Sequence, residues 1–244
     1  MMLSLRNCSL PTEELETLIR RLELVPQLLR RRLEEEITAL VPLPTELLAE
    51  EQQRLLGDQP LETFLAARGW QAADFDIHLR RPEALNRYAQ QRFGPGLEER
   101  FLASKGGRDQ VIYSLLRVRD PGLARELWIR LEEGETTFAE AAAAFSDGPE
   151  AHRKGVMGPV AIGQLQPQLL ADWLRSLRPG ELRQPEPLGE WHVMVRLEQL
   201  TPVRFDAAMR SQLLLEELDS FLQARVQQLL AGELPEPFHY DPAE

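Results

Sequence analysis

The sequence predicts an α+β fold, in which a compact β-α-α-β-α-β-β domain lies between two helical stretches. Three observations carry this. Apolar residues recur at helical spacing from residue 12 to about 104. The period then changes at Val111-Ile112-Tyr113-Ser114-Leu115-Leu116-Arg117-Val118, a β-branched, apolar run suited to a central strand. Helical spacing returns at Asp206, as a broad stripe of Leu213, Leu214, Leu218, Phe221, Leu222, Val226, Leu229 and Leu230. The expected division is a helical region over 1–105, the α+β domain over 106–203, and a last helix with an acidic tail over 204–244. That helix is expected to pack on the N-terminal ones, because its apolar stripe needs a partner.

In order, Thr12 is a candidate N-cap for a helix bearing Leu15, Leu18, Ile19 and Leu22, and Pro26 kinks or breaks it. Leu28 to Leu40 form a second helix, ended by Pro42 and Pro44. Thr45 opens a third that Gly57 closes, and Pro60 opens a short one ending near Gly69. Residues 70–80, 82–93 and 97–104 complete the layer, with Trp70, Phe75, Tyr88 and Phe93 as core anchors. Lys105-Gly106-Gly107 reads as a hinge. Past the first strand, Asp120 and Thr137 cap two helices, the second Ala-rich and ending at Phe145. A turn at 146–149 and the pair Gly155 and Gly158 follow, glycines of the kind that take positive φ or pass close to other backbone. Pro167 opens another helix. Leu182 to Leu188 is a weak, Pro-punctuated edge strand, and Trp191 to Leu197 is a good one.

Composition narrows the function. Of 244 residues 43% are hydrophobic and 27% charged, as in soluble proteins, and the net charge is −11. Such a chain lacks the positive field that phosphate backbones require, so no nucleic-acid partner is expected. The one basic run, Arg30-Arg31-Arg32, is followed by Glu34-Glu35-Glu36 and reads as a compensated helix face. A single cysteine, Cys8, leaves no disulfide framework. No window approaches a membrane span, and no signal-length apolar run opens the sequence, so the expected compartment is the cytoplasm. Phosphate loops, dinucleotide fingerprints, nucleophile elbows and paired metal-ligand spacings are missing from the sequence, and no metal is expected.

Several ordered motifs between residues 110 and 200 are similar to the parvulin family of peptidyl-prolyl cis-trans isomerases. Phe145-Ser146-Asp147, Gly155-x-x-Gly158 and Gly163-Gln164-Leu165 resemble the family's FSD…GGxLG…GQM-type segment. Leu177-x-Pro179-Gly180-Glu181-Leu182-x-x-Pro185 and Trp191-His192-Val193-Met194 resemble its closing stretches. The helices on either side resemble the chaperone-like module of bacterial parvulin-type foldases. The resemblance implies rotation of X-Pro bonds in unfolded or proline-containing polypeptide clients, without a cofactor. It implies a proline pocket of Met157, Leu165 and Leu169, with Gln164 and Gly148 at the substrate, and a catalytic His192 hydrogen-bonded to Ser114.

Three departures stand against this. Ser114 occupies the position of the family's first histidine, Gly148 that of a Cys or Asp, and Glu190 that of a Gly. The alternative reading is therefore a catalytically weak or silent chaperone or adaptor that still binds client peptides. Oligomeric state is not legible in the sequence.

Overall fold

The structure, a computed structural model, describes residues 2–5 and 8–242. Residues 1, 6, 7, 243 and 244, at the outer edges of the expected helical regions, lie outside it. The chain forms two compact units, one from residues 1–97 and 206–244, the other from residues 98–205.

In the first unit, β1 (Met2–Leu5) and β2 (Cys8–Pro11) form an antiparallel hairpin. Helices α1 (Thr12–Arg21), α2 (Val25–Leu40), α3 (Thr45–Leu56), α4 (Leu61–Arg68) and α5 (Ala72–Phe93) follow. Pro11, not Thr12, sits at the N-cap of α1, and Pro26 falls in the first turn of α2, where its missing N–H costs nothing. The core is built by α2, α5 and α10 (Ala207–Leu230), which pack on one another. Leu33 and Ile37 from α2, Ala84 and Tyr88 from α5, and Leu213, Leu214, Leu218, Leu222 and Val226 from α10 are all buried. The stripe on the last helix has its partner. Arg30 pairs with Glu34 at 3.1 Å and with Asp219 of α10 at 2.6 Å, while Arg31 reaches Glu34 and Arg32 reaches Glu36. The basic run is thus neutralised within the unit.

Two expected breaks are absent. Pro82 lies inside a continuous α5, because burial of Phe75 and Leu79 before it and Ala84, Tyr88 and Ala89 after it outweighs one lost helix hydrogen bond. Gly106 and Gly107 are no hinge but the last turn of α6 (Leu97–Arg108). A Cβ on Gly163 would come within 2.7 Å of the Gly107 carbonyl oxygen, so this glycine pair lets two backbones approach.

The second unit runs through β3 (Gln110–Val118), α7 (Pro121–Glu132), α8 (Phe138–Phe145), β4 (Val156–Ala161), α9 (Gln168–Ser176), β5 (Glu186–Leu188) and β6 (Trp191–Thr201). This is the expected β-α-α-β-α-β-β order. Asp120 accepts from the amides of Gly122 and Leu123, and Thr137 forms a capping box with Glu140. The sheet is antiparallel in the order β4-β3-β6-β5. Only Glu186–Leu188 of the weak segment is strand; Leu182 makes a single bridge to Arg196. One face of the sheet packs on α9 through Val111, Tyr113, Leu115, Val193, Val195 and Leu197. The other packs on α7 and α8 through Leu116, Val118 and Met194.

Gly155 and Gly158 behave as their spacing suggests, with φ of 82° and 96°. A Cβ on Gly158 would lie 2.5 Å from the Val111 carbonyl oxygen. Gly158→Ala is expected to cost at least about 1–3 kcal/mol in urea unfolding, from backbone strain and the clash with β3. Unchanged unfolding would contradict the close approach of β4 to β3.

Candidate functional site

Side chains alternate across a strand, so each candidate can be assigned to a face of the sheet. Met157 stands opposite Tyr113 in the β3–β4 ladder and packs on the α9-side cluster, in which Leu165 is buried. Trp191, at the start of β6, packs on the same cluster. Leu169 is in the first turns of α9 and 44% exposed, and Gln164 is exposed in the turn before it. Met157 and Leu165 therefore share one face, with Tyr113 and Trp191 added.

Ser114 and His192 do not meet. Ser114 is opposite Arg196, whereas His192 is opposite Val118, so four residues, roughly 13 Å of strand, separate them. The Ser114 hydroxyl donates to Glu198, which also accepts from Arg196 Nε at 2.8 Å. His192 shares its parity with Met194, on the α7–α8 face, and its Nδ1 lies 3.2 Å from the carbonyl oxygen of Arg119. The expected Ser114–His192 hydrogen bond is thus replaced by two separate contacts, because the antiparallel register offsets the residues along the strands.

Beside the apolar surface lies a polar cluster that the sequence reading overlooked. Glu150, its side chain fully buried, receives Arg117 Nε at 2.8 Å and a terminal guanidinium nitrogen at 2.7 Å. It also accepts from the Ser146 hydroxyl at 2.6 Å. Ser146 Oγ in turn accepts from the Arg117 amide, and the Asp147 amide donates to the Arg117 carbonyl, so the turn after α8 is stitched to β3. Burial pushes the Glu150 carboxyl up, but hydrogen bonds from Arg117 and Ser146 outweigh it and leave it below the ordinary glutamate range. The same pairing raises Arg117. Burial, reinforced by Glu150, pushes the Tyr113 phenol up and keeps it protonated.

This cluster explains Gly148. A Cβ there would lie 2.2 Å from Arg117 Nε and 2.2 Å from a Glu150 carboxylate oxygen. The space that a side chain at 148 would need is filled by the ion pair. Gly148 has ordinary φ, so its smallness, not its flexibility, is what the site uses. Arg117 keeps 29% of its side chain exposed and lies 5.8 Å from the Trp191 ring. Arg119 covers the same ring at 4.7 Å and pairs with Glu190 at 3.5 Å. Two signals were available for the cluster. An arginine inside an apolar central strand needs an acid, and Ser146 and Glu150 bracket the turn nearest to it.

Among the described residues no three His, Cys, Asp or Glu side chains gather as a metal site. What the face offers is the half-buried Met157 and Trp191, packed over the buried Tyr113 and Leu165, next to a clamped cation. Met157, Leu165 and Trp191 of this face lie in the segment whose sequence identifies the class of domain. Residues 122–198 match the rotamase family model, the PPIC-type PPIase domain. The chain carries a parvulin-type isomerase domain.

Among solved structures, the chain is similar to the peptidylprolyl isomerase PrsA of Bacillus anthracis, at 15% identity over 86% of this chain and 99% of that one, with a TM-score of 0.45. PrsA of Bacillus cereus aligns at 16% identity over 98% and 93%, with a TM-score of 0.48. The foldase protein PrsA of Streptococcus pneumoniae aligns at 12% identity over 97% and 95%, with a TM-score of 0.44. No curated protein matches the chain.

Proposed function

We propose that the chain is a peptidyl-prolyl cis-trans isomerase and foldase acting on unfolded, proline-containing polypeptides. The observation that carries this reading is the apolar α9 face with Arg117 clamped at its border, inside the segment that matches the isomerase model. X-Pro rotation crosses a barrier of about 18–20 kcal/mol because amide resonance is lost at the twisted geometry. Lowering it requires a surface that holds the ring while the peptide turns, and a donor that binds the twisted amide better than either planar form. Met157 and Trp191 supply the surface, over the buried Leu165. The guanidinium of Arg117, fixed by Glu150, supplies the donor in place of the side chain that Gly148 lacks. Leu169 and Gln164 form the rim where the client enters. Ser114 and His192 shape the opposite face and take no part in the bond rotation.

A protease-coupled isomerisation assay on an X-Pro tetrapeptide tests this. Trp191→Ala is expected to lower kcat/KM about 10- to 100-fold, while His192→Ala leaves it within about twofold. A wild-type rate equal to the spontaneous one would sink the catalytic reading. A large loss in His192→Ala alone would move the chemistry to the other face.

The helical unit is proposed to hold clients. It offers an apolar groove of about 540 Å³ lined by Pro82, Leu85, Leu215, Leu218 and Leu222, with Arg30 and Asp219 at its rim. Among the described residues no helix is long and apolar enough to cross a membrane.

A further inference from the structure

After α10 the chain turns at Gly232 and runs without helix or strand through Glu233-Leu-Pro-Glu-Pro-Phe-His-Tyr-Asp-Pro242. None of these residues is buried, although α10 just before them buries five. The segment is nevertheless held, and by an unusual set of contacts. The side-chain amide of Gln91 donates to the main-chain carbonyl of Asp241 and accepts from its main-chain amide at 3.1 Å. This two-point contact treats the segment as a neighbouring strand would. Arg225 donates to the main-chain carbonyl of Glu236. One aromatic side chain is gripped as well. The Phe238 ring stands edge-on to Tyr88 at 5.8 Å and to Phe221 at 6.1 Å, under the Arg225 guanidinium at 4.7 Å.

Main-chain contacts of this kind read no sequence, and the aromatic cup reads one feature. Pro235, Pro237 and Pro242 keep the segment extended and remove amide donors that would otherwise build local structure. An open depression of about 570 Å³ lies among Leu40, Gln91, Arg92 and this segment. An integral part of the core would instead bury apolar side chains and pair its own backbone.

We propose that the face formed by Tyr88, Gln91, Phe221 and Arg225 is a binding groove for extended segments carrying an aromatic residue among prolines. Residues 233–242 occupy it in cis as a displaceable stand-in for such a segment. The proposal rests on the reading above that the clients are proline-containing polypeptides, and it names the feature by which the helical unit selects them. Tethering presents the stand-in at an effective concentration on the order of millimolar, so only clients of higher affinity, or present in several copies, displace it.

The test uses a fluorescently labelled peptide of sequence 233–242 and a chain ended after Gly232. Fluorescence anisotropy is expected to show saturable binding to the shortened chain, at least tenfold tighter than to the full chain. Gln91→Ala in the shortened chain, or Phe238→Ala in the peptide, should weaken it at least fivefold. Equal binding to both chains, or binding indifferent to both substitutions, overturns the proposal. If the shortened chain fails to fold, Phe238→Ala in the full chain decides. Increased peptide capture with faster proteolysis after residue 232 supports the groove, and no change in either rejects it. This readout needs no bond rotation, so loss of isomerase activity with peptide capture intact would reject only the catalytic reading.

Discussion

Replacing Arg117 with alanine is expected to destabilise the isomerase unit by about 3–5 kcal/mol, one of the two largest single effects anticipated for this chain. The substitution leaves the buried Glu150 carboxylate with Ser146 but without its cation. Glu150→Ala should cost a comparable amount by stranding Arg117. The double variant Arg117→Met/Glu150→Leu is expected to recover most of that stability, because an apolar pair of similar volume has no charge to desolvate. Its isomerase rate should stay low if Arg117 is the donor at the twisted amide. Urea unfolding and the coupled assay on the same three proteins separate the structural role from the chemical one. A double variant as unstable as the singles would show that the cluster contributes something other than mutual neutralisation.

The pair also sets an acid limit. Glu150 has its folded value below the ordinary glutamate range, so its contribution is fully present above the unfolded value and is lost as pH falls through the folded one. Stability of the isomerase unit should fall on acidification below about pH 4, and the Arg117→Met/Glu150→Leu variant should lose that component. Identical pH profiles for the two proteins would remove Glu150 as its source.

Deleting residues 205–244 is expected to abolish cooperative unfolding of the helical unit. Leu213, Leu214, Leu218, Leu222 and Val226 form one wall of the core built with α2 and α5, and those two helices alone present a single layer. A graded version is Leu222→Ala, at a fully buried position, expected to cost about 2–5 kcal/mol. Thermal unfolding followed by circular dichroism would check both. A truncated chain that melts like the full one would mean that the N-terminal helices fold alone.

Much of this architecture was legible in the residues because its determinants are local. Asp120, Thr137 and Asp206 cap the helices they precede, and the apolar period changes where β3 begins. The misreadings share a cause. Pro82 and Gly106-Gly107 look like breaks, yet burial on both sides of Pro82 and a close backbone approach at Gly107 override local preference. The site was half legible. Met157 packs on the cluster that buries Leu165, but placing Ser114 relative to His192 required the β3–β6 register, which no local pattern encodes. Glu150 was missed because its partner is distant in sequence, and the Arg117–Glu150 contact exists only once β3 lies beside the turn after α8.

The division of the chain between its two units bears on how it is made. Helices α2 and α5 precede residue 97, while the helix that completes their core begins at residue 207. At synthesis rates of about 5–20 residues per second, the N-terminal helices wait roughly 7–27 s after they are made before α10 is complete. The intervening residues 98–205 hold every strand of their own sheet, and that sheet is complete once β6 has been made at residue 201, before α10 is. The growing chain therefore carries a finished isomerase unit ahead of an unfinished helical one whose apolar faces are still bare. In that window the polypeptide is itself a client of the kind it is proposed to serve.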